Sequence, residues 1–293
     1  MIKHRKTRRK KRKQKKIIII STLSLLLLIT VGYAAFSTNL SITAKGNIKE
    51  YTVDDYIKDG LFAFYDGIEN TSSGHGLPTD TWYNKALDLN PSIATTAKST
   101  LTGFNASSWT NDNGLLFDGV DDVVDTGYLQ EELGQQITFS FTVYTTSNSR
   151  YRGYLGYHAA NPLWFGIVIQ IGDTNGLSAI YYGDGTNCYI NISKSEVDSK
   201  IINKKANITF VIDAGNRIQV YFNDRKMGET TCSNKLEPYP NANFMIGRVY
   251  PTNDGANRYF EGTMYNFMVY KKALTEDEIK QNYRVNKQRY NLE

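Results

Sequence analysis

The run "GLLFDGVDDVVDTG" (residues 114–127) sets four aspartates, Asp118, Asp121, Asp122 and Asp125, among Leu115, Leu116, Phe117, Val120, Val123 and Val124. Carboxylates this close suit three kinds of chemistry. They can share a calcium ion, which takes about six to eight oxygen ligands from flexible loops. They can form the acid pair of glycoside hydrolysis, two carboxyls about 5 to 10 Å apart. Or an Asp-Gly pair can turn the chain between two strands, because both residues tolerate positive φ. The order D-G-x-D-D does not follow the helix–loop–helix calcium spacing. Alternation along a strand sends Asp122 to the side opposite Val123, and a buried aspartate must be solvated or paired. The turn reading leads: Asp118 sets the turn, and its neighbours face water or cap backbone groups. Asp118, Asp121 and Asp122 remain the candidate ligands of a structural calcium.

Other catalytic combinations are sparse. Beyond the N-terminal tip the histidines are His75 and His158. Nucleophilic hydrolysis needs a Ser or Cys beside such a base, and no G-x-S-x-G elbow is present. His75, in "SSGHGLP", reads as an ordinary loop histidine. The acids of "EEL" (131–133) fall in a loop, and those of "EDE" (276–278) suit the positive end of a helix. The chain therefore reads as a non-enzyme. Ligand recognition is better served. "YRGYLGYHAANPLW" (151–164) groups Tyr151, Arg152, Tyr154, Tyr157 and Trp164, flat apolar faces with polar edges that suit sugars or peptides. Trp82 and Trp109, in loop-like sequence, form a second group. The competing reading makes these aromatics core and edge residues of strands. Cys188 and Cys232 have no Cys or His at metal-ligand spacing; a disulfide between them would close a loop worth roughly 3–4 kcal/mol. An internal "LPTD" (77–80) has the look of a wall-sorting motif without its hydrophobic tail. The sequons at Asn39, Asn70, Asn105, Asn191 and Asn207 are what a chain rich in Asn, Ser and Thr also holds by chance.

The elements that must position these residues are mostly strands. "GLFAFYDG" (60–67), "QITFSFTVYT" (136–145), "LWFGIVIQI" (163–171), "LSAIYY" (177–182), "NITFVID" (207–213), "RIQVYFN" (217–223), "NFMIGRV" (243–249) and "YFEGTMYNFMVY" (259–270) carry the signal. In the second, Ile137, Phe139, Phe141 and Val143 face one way and Thr138, Ser140, Thr142 and Tyr144 the other, the period of a half-buried strand. Residues 68–113 read as long loops anchored by Trp82, Leu87, Leu89 and Phe104. One helix of the body stands out: Thr275 and Glu278 form a capping box, and Ile279 and Tyr283 share its buried face. Many strands, frequent turns and a terminal helix imply an all-β sandwich or jelly roll.

The net charge of +5 is unevenly spread. Residues 1–16 hold 11 Lys or Arg and no acid; the remainder holds 23 basic and 29 acidic residues, a net of −6. A nucleic-acid binder needs its basic patch on the folded body, so that class is set aside. Ile17–Phe36 is an uncharged apolar run long enough, at about 1.5 Å per residue, to span a bilayer core. The basic tip would stay in the cytoplasm and the body would lie outside. Gly32 with Ala34, or Ala35 with Ser37, offers a signal-peptidase site, so the segment is read as a retained anchor, with a cleaved signal peptide as the alternative. "GYAAFSTNLSITAKGNI" resembles the leader junctions of matrix-fibre and camelysin-like proteins of Gram-positive bacteria.

Four segments in order resemble the laminin-G-like, concanavalin A-like jelly-roll family. "LFAFYDG" is similar to its opening strand. Phe117, Asp118, Gly119, Asp121, Asp122 and Val124 match its "F-D-G-x-D-D-Y-V" stretch, with Val123 in place of the aromatic. "IQVYFNDRKMG" is similar to its "L-x-L-Y-V-D-G-K" hairpin, with Asn223-Asp224 where Asp-Gly is usual. "FEGTMYNFMVYKKALTEDEI" is similar to its closing segment, with Asn266 where Asp is frequent. The resemblance implies a concanavalin A-like jelly-roll β-sandwich with a short C-terminal helix, preceded by one N-terminal membrane or signal helix. Members of this fold class often hold a calcium ion; those that are glycosidases place their acids on one strand as "E-x-D-x-x-E", which is not found here. The expected organisation is a basic tip (1–16), a transmembrane or signal-anchor helix (17–36), an extended spacer (37–56), the domain (57–286) and a polar tail (287–293). The leading function is a bacterial cell-surface module, anchored in the membrane or secreted, that binds carbohydrate or protein. The runner-up is a non-catalytic scaffold component of a surface or biofilm layer, and the third is a glycan hydrolase with an unrecognised site.

Overall fold

The computed structural model describes residues 13–30 and 49–293, apart from 72–73, 75, 77–79, 91–98, 158–165, 173, 175, 184, 239 and 250–257. Residues 13–30 form helix α1, whose large apolar side chains from Ile17 to Ile29 are 56–70% exposed. Among the described residues, no helix is long and apolar enough to cross a membrane. The helix as described opens on Lys13, Lys15 and Lys16, and the rest of the apolar run, residues 31–36, lies outside the described residues.

A second unit, Tyr51–Glu293, holds the sandwich. It takes in residues 51–56 and 287–293, which the sequence reading placed outside the domain. One antiparallel sheet has the order β1 (Leu61–Asp66), β14 (Glu261–Tyr270), β5 (Gln136–Thr145), β10 (Lys205–Asp213), β11 (Arg217–Phe222), β12 (Arg225–Thr231), with β3 (Leu115–Asp118) on the far half of β14. The other runs β2 (Thr100–Thr102), β4 (Val123–Leu129), β13 (Asn243–Ile246), β6 (Gly153–Tyr157), β7 (Ile167–Ile171), β8 (Leu177–Gly183), β9 (Thr186–Ile192). Between them lies the core. Phe139 stacks on Phe244 across the gap at 5.2 Å, and Phe141 on Phe267 at 5.6 Å within its own sheet. The inward residues foreseen for β5 all lie in this cluster.

The outward face of β5 differs from expectation. Thr138, Ser140 and Thr142 are as buried as the phenylalanines opposite. The reason is a third layer: helix α4 (Glu276–Arg289) and the segment before β1 cover that face. Because the covered side chains are polar, hydrogen bonds satisfy them within the sheet and tie the sheet to its cover. Thr138 Oγ1 donates to Lys272 O at 2.7 Å, Ser140 and Thr209 pair at 3.0 Å, and the Thr142 N–H donates to Asn266 Oδ1 at 2.8 Å. Asn266 Nδ2 donates to Asn286 Oδ1 at 2.7 Å, and Tyr56 OH reaches the same oxygen. An amide can accept on one side and donate on the other, which a carboxylate cannot. That accounts for Asn266 where the resemblance would put Asp.

Helix α4 begins with the predicted capping box, Thr275 and Glu278 satisfying each other's backbone N–H groups. At its other end Arg289 forms an ion pair with Asp66 of β1, and Tyr290 OH donates to the same carboxylate. Asp66 is fully buried and Arg289 nearly so, at 10% side-chain exposure. Two shorter helices, α2 (Ala86–Leu89) and α3 (Lys194–Lys200), join the one foreseen. Ser193 caps α3 by accepting from the Glu196 N–H. Cys188 on edge strand β9 is bonded to Cys232, just beyond edge strand β12, with Cα atoms 5.7 Å apart. The bridge staples two sheet edges whose unpaired groups would otherwise invite further strands.

Arg289→Met should expose the importance of the Asp66 pair. Removing one partner of a buried pair costs about 3–5 kcal/mol. Burial already pushes the Asp66 carboxyl up, with Arg289 opposing. Without Arg289 it rises further, so the folded variant holds a proton that the unfolded chain releases, and its stability falls as pH rises through that raised pKa. Urea midpoints should show a large deficit at pH 7.5 that narrows towards pH 5; equal midpoints at pH 7.5 would contradict the role assigned to the pair.

Candidate functional site

The stretch from Asp118 to Val123 is a turn, but not within a hairpin. β3 lies in one sheet and β4 in the other, so the chain crosses the sandwich rim here. Asp118 Oδ1 accepts the Val120 N–H at 2.7 Å, and Asp122 Oδ2 accepts the Asp118 N–H at 2.7 Å. Gly119 has φ +78, and a Cβ there would meet Arg152 Nη1 at 2.6 Å. Arg152 donates to the Gly119 and Tyr259 carbonyls and pairs with Glu261 at 3.0 Å. The arginine proposed as a ligand contact thus braces the turn.

Of the two roles expected for the neighbours of Asp118, facing water or capping a backbone group, Asp122 takes the second. It is only 4% exposed, not washed by water, while Asp118 and Asp121 are exposed. Burial pushes the Asp122 carboxyl up to about 6; the Asp118 N–H works against this, and the nearby Asp118 and Asp121 carboxylates add to it. Gly103 packs so close that a Cβ would lie 2.6 Å from Asp122 Oδ1. One oxygen from each of Asp118, Asp121 and Asp122 falls within 4.8 Å of the others. Hard oxygen donors of like charge, one poorly solvated, fit a calcium-sized cation, which would relieve their repulsion. The turn closes on its own hydrogen bonds, with Asp118 setting it.

The predicted aromatic cluster is largely dispersed. Tyr154 is wholly buried, its ring stacked on Phe141 at 5.4 Å and its hydroxyl 3.0 Å from Thr145 Oγ1. Trp82 is wholly buried and donates to Asp66 O at 3.0 Å; Trp109 meets it edge to face at 5.6 Å. These three are core residues, a correction to the sequence reading: strand alternation and loop anchoring turned them inward. Tyr151 stays at the rim with φ +68, with Arg258 and Arg150 over its ring at 4.2 and 4.9 Å. The side chain of Tyr157, and His75, His158, Trp164 and residues 77–79 of "LPTD", lie outside the described residues.

A different site has the shape of a ligand seat. A groove of about 750 Å³ opens at the end of the outer sheet face, beyond the cover of α4. Register builds its floor: Tyr144 of β5 lies beside Lys205 of β10 and Thr263 of β14. Lys205 Nζ sits 3.9 Å from the centre of the Tyr265 ring and 3.2 Å from Asp112 Oδ2. The Tyr265 hydroxyl donates to that same oxygen at 2.8 Å. Burial works to raise the Asp112 carboxyl, but hydrogen bonds from Thr110, Tyr265 and Lys205 outweigh it and hold it below the usual range. Tyr283, Asn291 and Glu293 form one wall, and the β11–β12 turn at Asn223 and Asp224 another. Alternation along β5 already pointed Tyr144 outward. The meeting of Asp112 with Lys205 and Tyr265 has no sequence signal, since they are far apart in the chain.

A family model described as the concanavalin A-like lectin/glucanases superfamily matches residues 118–280. The chain belongs to that superfamily. Among solved structures it resembles the sialidase of Trypanosoma rangeli in complex with sialic acid (16% identity, TM-score 0.51, 76% of this chain and 32% of that one). It also resembles the receptor-binding domain of botulinum neurotoxin mosaic serotype C/D (13%, 0.53, 80% and 51%) and the binding domain of Paraclostridial Mosquitocidal Protein 1 (14%, 0.51, 77% and 52%). The chain thus spans about a third to a half of those chains, and at such identity the likeness is one of fold. A comparison with curated proteins finds no match.

Asp122→Asn separates the roles of the rim. The folded wild type binds a proton on Asp122 up to about pH 6. The unfolded chain releases it near the ordinary value of about 4. Stability therefore falls as pH rises through this window. The amide keeps the acceptor for the Asp118 N–H and carries no charge. In chelator at pH 7.5 the variant should be at least as stable as wild type, the two converging below about pH 4. Millimolar calcium should raise the wild-type melting temperature by only a few degrees. A rise of about ten degrees or more, several kcal/mol for a domain this size, would mean that the ion is integral to the rim.

Proposed function

We propose that this protein is a surface-displayed recognition module that binds carbohydrate in the groove floored by Tyr144, Lys205 and Tyr265. The observation that carries this reading is the groove itself: a concavity of ligand size with tyrosine faces, carboxamides and fixed ions converging on one space. Tyrosine pairs an apolar face with a polar edge, which suits the alternating C–H and O–H surface of a sugar ring. Asp112, held below the usual carboxylate range by its hydrogen bonds, is not suited to the proton-donor role of glycoside hydrolysis. Among the solved structures of like fold are a sialidase with sialic acid and a neurotoxin binding domain with a sialylated ligand, which makes saccharide the first class to test.

We place the body outside the cell. The basic tip and the run Ile17–Phe36 support an anchor with the N-terminus inside, and the exposed apolar side chains of α1 need a cover that lipid supplies. The Cys188–Cys232 bond fits an oxidising compartment. In this reading the rim of Asp118, Asp121 and Asp122 is a structural turn closed by its own hydrogen bonds, to which a calcium ion would add little, and not a catalytic site.

Two measurements test the proposal. Protease added to intact cells should degrade the body and spare the tip; protection of the body would reverse the orientation. The solubilised full chain should be retained by insoluble polysaccharides such as glucan, mannan or chitin. Tyr144→Ala should lose retention while the domain stays folded, with a modest fall in melting temperature because the ring packs on the Tyr265, Tyr283 and Leu292 cluster. Retention unaffected by that change would remove the groove from the account.

A further inference from the structure

Resting on the groove as a saccharide seat, we infer that its ligand is a neutral oligosaccharide of roughly three sugar rings, held by tyrosine faces and asparagine carboxamides rather than by charge. Three of the four cations that line the groove, Lys200, Lys204 and Lys205, are held by neighbouring groups. Lys205 is committed to Asp112 at 3.2 Å, Lys200 pairs with Glu196 at 3.6 Å, and Lys204 donates to the Ser199 carbonyl. Arg225 adjoins Asp224 in the β11–β12 turn, and Glu293 adds another acid. An acidic sugar would meet the ionised Asp112 and no cluster of uncommitted cations.

Hydrogen-bonding capacity is, by contrast, distributed around the groove. Asn203, Asn223 and Asn291 line it from three different turns, at φ +56, +58 and +52. Asn203 joins α3 to β10, Asn223 opens the β11–β12 turn, and Asn291 follows α4. The left-handed conformation at such turns is usually met by glycine, with asparagine the side chain that tolerates it. Asparagine keeps at each point a group that both donates and accepts, and so matches vicinal hydroxyls. Asn223 uses its Oδ1 on the Asn207 N–H, leaving its NH₂ as donor. The half-buried Tyr144 supplies ring surface on the floor.

An extended peptide suits the groove less well. Peptides that lie along sheets gain affinity by pairing their main chain with an unpaired edge. Here the floor is the face of three strands, β10, β5 and β14, whose backbone groups pair with each other.

The test uses the solubilised full chain on an array of neutral oligomers (glucans, mannans, chitin fragments), acidic ones (sialylated, uronic, sulfated) and a set of peptides. The best glycan is then titrated by calorimetry at about 50 and 500 mM NaCl, a range over which exposed charge interactions are strongly screened. Wild type, Tyr144→Ala, Tyr144→Phe and Asn203→Ala are compared after their melting temperatures are checked. Expected are neutral hits, a Kd that changes less than about twofold with salt, weakening of about tenfold or more for Tyr144→Ala and for Asn203→Ala a smaller loss, with Tyr144→Phe close to wild type. Binding confined to acidic glycans, or a Kd that weakens about tenfold in salt, overturns the neutral class, while a loss with Tyr144→Ala keeps the seat. Binding of peptides alone, or of no glycan, or indifference to Tyr144→Ala, overturns the seat and the class together.

Discussion

The buried carboxylate of Asp66 fixes more of this molecule than any other single group. It lies at the end of β1, and one oxygen holds Arg289 while the other accepts from Tyr290 and from the Ile68 N–H. Its backbone carbonyl accepts the indole N–H of Trp82. One residue thus ties together the first strand, the end of the last helix and the anchor of a long loop. A lone buried charge would cost far more than it could contribute, so the residues that satisfy it must all arrive together. The same logic extends through the layer of Asn266, Asn286, Thr142 and Tyr56, and through Asn282, which accepts the Ile57 N–H and donates to the Tyr270 hydroxyl; there polar groups substitute for apolar packing between sheet and helix.

That layer also decides where the recognition surface opens. Helix α4 covers Thr138 and its neighbours, and the outer face of β5 emerges only at Tyr144. Past Arg289 and Tyr290 the chain continues as Asn291, Leu292 and Glu293; Leu292 is buried, and the residues either side of it line the groove wall. The ion pair that secures the helix therefore also sets the wall of the seat. The rim at Asp118 to Asp122 has a different job. It carries the chain from one sheet to the other, and Arg152 and Glu261 lock it.

Much of the fold was legible in the sequence because its signals are local. The period of two along Ile137 to Val143 gave β5 its bounds, and Thr275 with Glu278 marked the start of α4. β12 offers Met227 as its one large apolar residue, too little to register, whereas β9 does alternate, with Cys188, Ile190 and Ile192 inward; α3 was hidden by its length although Ser193 and Glu196 flank its start. The site was less legible. Tyr154, Trp82 and Trp109 are chemically suited to sugars, but the same amphipathic rings suit a core, and only the fold shows which way they point. Asp122 was expected either to face water or to cap a backbone group; close packing of Gly103 and the crossing between sheets bury it, and it caps the Asp118 N–H. The groove joins Asp112, Lys205 and Tyr265 from three separate segments, and no spacing rule reports such a meeting.

Recognition by this domain depends on where a saccharide sits. Hydrogen exchange of the full chain, measured with and without a saturating bound oligosaccharide, locates it directly. Slower exchange should concentrate at residues 144–145, 203–205, 223–225 and 289–293, around the groove, with the rim at 118–122 and 150–152 unchanged. Protection centred on that rim, or spread evenly over the domain, would contradict the groove as the seat of recognition.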